Sequence, residues 1–250
     1  MVSIQIWPIV SCALLGSFTA SLLLMLGYQS GSKPDDTSLF STTSYFTRSL
    51  RQYENWPWMG WLSSADHSLG STMRLPPKIK AGIEIIGFIG GALIAITLST
   101  NFPVTIAVTL LFSIALAASI VDWCFLVLPD ELHILMVADV LALMIAGRWP
   151  LGASLASALL LLGLGFFLVF VYGKLRKLDL LGFGDVKLMA ISGLWLSPTQ
   201  IPIYLILAGL CGIAINLLWR CSKKGKASPF GPALLISLLI CVLFHNLSLL

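Results

Sequence analysis

The sequence predicts an all-α protein, a polytopic membrane helix bundle of about eight transmembrane spans with a cytoplasm-facing active site. Three observations carry this. The 250 residues are 58% hydrophobic and only 10% charged, with a mean hydropathy of +0.95. Apolar runs long enough to cross a bilayer recur along the chain, and they lack the alternating polarity of β-barrel strands. Every Lys and Arg except Arg148 falls in segments that such an arrangement gathers on the cytoplasmic side.

The spans are expected near 4–28, 81–99, 104–122, 131–147, 151–172, 187–197, 201–219 and 231–249. Backbone groups in hydrocarbon must pair within their own segment, so each span is a helix. The first carries no basic residue before Trp7, and no small-residue cleavage pattern follows it, so it reads as an uncleaved helix with its N-terminus outside. Residues 30–80 break the apolar pattern with Ser, Thr, Asp and Arg around Trp56, Trp58 and Trp61. A cytoplasmic loop resting its aromatics at the membrane interface is favoured there over a small subdomain. The chain thus divides into a first helix (1–29), this loop (30–80) and a membrane core (81–250). The sixth span is short, a re-entrant or tilted piece. Outer connections such as Arg148-Trp149-Pro150 and Ser197-Pro198-Thr199-Gln200 are brief, and both termini are placed outside.

The net charge of +4 follows from this sorting, so nucleic acid is not an expected partner, whereas membrane lipid is. The five cysteines form no CxxC pair, and His67, His133 and His245 are scattered. Neither a disulfide framework nor a metal site is expected, and no cofactor is.

The candidate chemistry lies in carboxylates. An ionisable side chain in or at the edge of a membrane segment is costly, and so points to function. Asp122 closes an apolar run in Ile120-Val121-Asp122-Trp123. Asp185 follows two glycines in Gly182-Phe183-Gly184-Asp185-Val186-Lys187-Leu188. The two spans between them return the chain to the same face, so the aspartates are expected to meet. Paired carboxylates sharing a proton can run acid–base hydrolysis.

Other residues take supporting parts. Gly182 and Gly184 allow close helix approach. Pro129 stops the preceding segment, and Asp130 is expected to cap the next helix. Lys187 anchors to headgroups or biases the field at Asp185. Glu84 makes an interfacial ion pair near Lys80 or supports the site. Asp139, in mid-span, is a proton relay or a buried polar contact. Pro229-Phe230-Gly231-Pro232 is a rigid turn, structural unless it borders a substrate groove.

These motifs resemble one family. Ala118-Ser119-Ile120-Val121-Asp122-Trp123 with Leu128-Pro129-Asp130 is similar to the first aspartate motif of type IV prepilin peptidases, and Gly182 to Leu188 resembles their GxGD motif. Pro229 to Pro232 looks like their C-terminal turn, and Leu14-Leu15-Gly16-Ser17-Phe18 like the start of their first helix. The resemblance implies an aspartic endopeptidase of the bacterial inner membrane. It would remove the basic leader from prepilins or pseudopilins, after a glycine at the cytoplasmic membrane boundary, with Asp122 and Asp185 as the catalytic pair. Many bacterial members carry zinc-binding cysteine pairs in the first cytoplasmic loop and also N-methylate the product. Residues 30–80 hold no cysteine, so a peptidase alone is expected.

Three other readings compete. An ion-coupled transporter would use Asp122, Asp139 and Asp185, but such sites cluster at the midplane within inverted repeats. A structural subunit of a secretion machine would tolerate Asn at both aspartates. A preflagellin peptidase is the nearest relative within the enzyme class.

Overall fold

The computed structural model describes residues 9–20, 77–98, 101–172, 182–222 and 228–247. The expectations for the polar loop up to residue 76, including its tryptophans, and for the basic groups at 174–177 and 223–226 lie outside these residues. The described residues are all helical or connecting, with no strand. Among the described residues, three helical stretches are long and apolar enough to cross a membrane: Phe102–Phe125, Leu151–Phe170 and Pro198–Cys221.

The chain divides into two compact units, 1–117 and 118–250. In the first, α1 (Ile9–Ala20) packs against α2 (Pro77–Thr97) through facing glycines. Side chains on Gly16, Gly87 or Gly91 would run into the partner helix's backbone. The start of α3 (Phe102–Phe125) joins them by hydroxyl bonds: Thr19 Oγ1 donates to Ser113 Oγ at 2.8 Å, and Ser113 Oγ lies 3.3 Å from the Gly16 carbonyl oxygen. Glu84 is buried in α2 within this unit.

The second unit holds the end of α3 and five further helices: α4 (Asp130–Ile145), α5 (Leu151–Phe166), α6 (Phe183–Leu194), α7 (Ile201–Ser222) and α8 (Gly231–Leu247). Gly147 ends α4 in a left-handed conformation (φ 66°), where an L side chain would be strained, and the Arg148 N–H closes the turn on the Leu143 carbonyl. A π-helical stretch, Phe167–Tyr172, continues α5.

Helices α5 and α6 run antiparallel in close contact. Gly165 of α5 meets Val186 of α6, and Gly193 of α6 lies against the backbone of Ala158 on α5. Trp149 donates from Nε1 to the Leu194 carbonyl (3.1 Å) and meets buried Trp195 edge-on, tying the end of α6 to the α4–α5 loop. A 3-10 turn, Pro198–Gln200, leads into α7 and opens with a capping box, in which the Gln200 side chain accepts from the Ser197 N–H at 2.8 Å. Gln200 also donates to the Cys241 carbonyl on α8.

Two boundaries differ from the sequence reading. α3 continues through Asp122 to Phe125, because Trp123, Cys124 and Phe125 extend its apolar run. The short sixth helix begins at Phe183, so Asp185 lies in its first turn, where a carboxylate suits the helix dipole.

Candidate active site

Asp122 is buried, one turn from the end of α3. Its Oδ2 accepts the Gly231 backbone N–H at 3.0 Å. That glycine opens α8 from the Pro229–Pro232 turn, and the geometry explains the residue type. A methyl group on Gly231 would lie 2.7 Å from Oδ2 of Asp122 and 3.2 Å from a Leu128 methyl. Trp123, the next residue, meets Trp219 of α7 edge-on, with ring centroids 5.1 Å apart.

Asp185 is placed in a similar manner. Gly182 caps α6 and its carbonyl accepts the Asp185 and Val186 amides. The Asp185 carboxylate turns back over Gly182, whose backbone N–H faces it. Each aspartate therefore sits on a glycine backbone, and the two carboxylates lie within Coulombic reach of each other.

Leu128 links the two turns. A methyl on Gly184 would meet it at 3.4 Å, and it also flanks Gly231. The loop that presents Leu128 is strained: Leu126, just past α3, has φ 57°, a conformation that costs a non-glycine residue about 1–2 kcal/mol. Downstream, His133 Nδ1 donates to the Pro129 carbonyl (3.1 Å), which also fixes the imidazole tautomer.

Asp130 departs from its expected role. Pro129, not Asp130, occupies the cap position, and no side chain caps α4. Asp130 is instead the first helical residue, and its Oδ1 accepts Lys187 Nζ at 2.8 Å. Lys187 is thus paired across helices α4 and α6.

Of the residues singled out in the sequence, Asp122, Asp185, Gly182, Gly184, Pro129, Asp130 and Lys187 all belong to this second unit, while Glu84 belongs to the first. Asp139 stands in mid-α4, its Oδ2 buried without a hydrogen-bond partner among the described residues. The sequence reading missed Gly231 as the amide that holds Asp122 and Leu128 as the residue between the two turns. The signal for Gly231 was its place between two prolines beside an aromatic residue, Phe230. Among the described residues no three His, Cys, Asp or Glu side chains gather as a metal site would require.

Known proteins agree with the motifs. Residues 109–217, which contain both aspartates, match the type IV leader peptidase family. A prepilin leader peptidase/N-methyltransferase of Aeromonas salmonicida is 28% identical over 197 residues, covering 77% of this chain and 67% of that protein. An enzyme of the same name from Pectobacterium carotovorum is 31% identical over 51% of this chain and 47% of its own length. An Escherichia coli protein named type 4 prepilin-like proteins leader peptide-processing enzyme is 31% identical over 52% of this chain and 48% of its own. No solved structure gives a significant match. Residues 109–217 are thus similar to the type IV leader peptidase family, and these relatives bear out the resemblance to type IV prepilin peptidases.

Proposed function

We propose that this chain is a membrane aspartic endopeptidase that removes the leader from prepilins or pseudopilins, with Asp122 and Asp185 as its catalytic pair. The carrying observation is the approach of two carboxylates from different helices, each seated on a glycine backbone and within reach of the other's charge.

Two carboxylates so placed can share a proton and titrate as a unit. The ionised partner takes a proton from water, and the water oxygen attacks the scissile carbonyl. The protonated partner polarises that carbonyl and then protonates the leaving amine. No covalent intermediate is required, and each step uses atoms these two side chains possess. The zinc-binding loop cysteines of many bacterial members have no counterparts in residues 30–80, so no step runs through zinc.

The membrane arrangement follows from the charge pattern. Eight spans with both termini outside would put Asp122 and Asp185 at the cytoplasmic face of a bacterial inner membrane. A substrate whose apolar segment lies among the helices would then present its leader boundary at the depth of the aspartates. The same placement argues against an ion-coupled transporter, whose sites belong at the midplane.

The test is co-expression with a prepilin, followed by mass spectrometry of its N-terminus. Asp122→Ala and Asp185→Ala should each abolish leader removal while the protein still inserts at normal levels. Complete processing by either variant would sink the pair. The same spectrum reads methylation, and the expected product is cleaved and unmethylated.

A further inference from the structure

The proposed chemistry uses two carboxylates, yet an apolar side chain stands between the glycine turns that seat them. Leu128, half-buried in the α3–α4 loop, reaches from Gly184, the residue before Asp185, to Gly231, whose amide holds Asp122. A methyl on Gly184 would lie 3.4 Å from Leu128 Cβ and 3.8 Å from its Cδ1, and one on Gly231 would lie 3.2 Å from the same Cδ1. The latter point is also 2.7 Å from Oδ2 of Asp122, so the Leu128 methyl and the carboxylate oxygen border one small space.

The loop gives this side chain little room to withdraw. On one side the Leu126 N–H closes on the Asp122 carbonyl at 2.8 Å, with Leu126 itself left-handed. On the other, Pro129 is buried, its φ fixed by the ring and its carbonyl accepting from His133. Leu128 is thus held between two restrained residues, while Leu126 and Val127 are exposed, at 43% and 53%.

Hydrolysis by the pair requires the scissile carbonyl to come within hydrogen-bond reach of both carboxylates. The side chain of the residue that supplies that carbonyl begins only two bonds from the reacting carbon. It must fit beside the Leu128 methyls, and a closely packed space resists each added carbon. We propose that Leu128 is a specificity-determining residue: its side chain limits the substrate residue that supplies the scissile carbonyl to glycine and rejects larger ones by contact. This rests on the reading of Asp122 and Asp185 as the catalytic pair. The glycine that the motif resemblance implied at that place then has a cause among this chain's own residues.

The experiment uses the full-length protein and three prepilins that differ only in the residue before the scissile bond: glycine, alanine or valine. kcat/KM is measured for the parent, Leu128→Ala, Leu128→Val and Leu128→Met, beside a thermal melt. One surplus carbon in an apolar pocket changes discrimination by about 10- to 200-fold, so the parent should favour glycine over alanine at least ~10-fold. Leu128→Ala should shrink that ratio about tenfold, chiefly through a faster absolute rate on the alanine substrate, and should bring cleavage of the valine substrate into range. Leu128→Val, one carbon smaller, should move the ratio the same way by less. Leu128→Met, of similar volume, should keep the parental ratio. A merely structural role predicts that every substrate slows together, with the ratios unchanged. That result, or a parent that treats glycine and alanine alike, overturns the proposal. Should Leu128→Ala fail to fold, Leu128→Val decides it, and an unchanged ratio there overturns it equally. If the parent leaves the glycine prepilin uncut, or Asp122→Ala still cuts it, the proposed function falls and this inference with it. If those controls hold and the ratios do not move, this inference falls alone.

Discussion

Replacing Gly231 with Ala tests the site at its tightest point. The added methyl would lie 2.7 Å from Oδ2 and 3.2 Å from Cγ of Asp122, where ordinary contact begins at 3.4 Å. The Gly231 backbone is poorly placed to yield, since the following amides of Ala233 and Leu234 both close on the Phe230 carbonyl. The carboxylate must therefore give way, by about 0.7 Å from these distances, and the 3.0 Å amide bond is stretched or lost. Misplacement on the order of 1 Å costs up to ~100-fold in rate, so kcat should fall about 10- to 100-fold. The fold should survive, because what moves is the end of a side chain, at a stability cost of about 1 kcal/mol. The assay is a time course of leader removal from purified prepilin, read by mass spectrometry beside a thermal melt. A Gly231→Ala enzyme with parental kcat and an intact melt would refute the claim that this amide seats Asp122.

Two further outcomes follow from the packing. Gly193→Ala would put its methyl 2.5 Å from Cα and 2.6 Å from N of Ala158, both backbone atoms, and should destabilise the protein by about 1–3 kcal/mol as a lowered melting midpoint. Leu126→Gly relieves the left-handed conformation at φ 57° and should cost no stability, or gain up to about 1 kcal/mol, with kcat changing only if the Leu128 loop loosens. A marked loss of stability in that variant would mean the Leu126 side chain matters more than its backbone strain.

What the sequence made legible here depended on cost. Asp122 and Asp185 stood out because apolar surroundings make carboxylates expensive, and because chain parity predicts that they share one face. Gly182 and Gly184 were legible because a glycine pair beside an acid marks a close turn. Contacts between distant segments were not. The Asp130–Lys187 pair joins residues far apart in sequence, and nothing local in either helix announces it. Asp130 misled because an acid after proline at a helix start looks like a cap, whereas Pro129 itself occupied that place. Gly231 read as part of a rigid turn, and only the fold brings its amide to Asp122.

The glycine contacts between α5 and α6 bear on how a membrane-embedded substrate could arrive. With Gly165 against Val186 and Gly193 against the Ala158 backbone, the two helices are seamed along their shared length. A substrate helix cannot wedge between them without undoing that packing, so this flank is a closed wall. If a substrate reaches the aspartates from within the bilayer, it does so past a side of α6 other than the one that α5 covers.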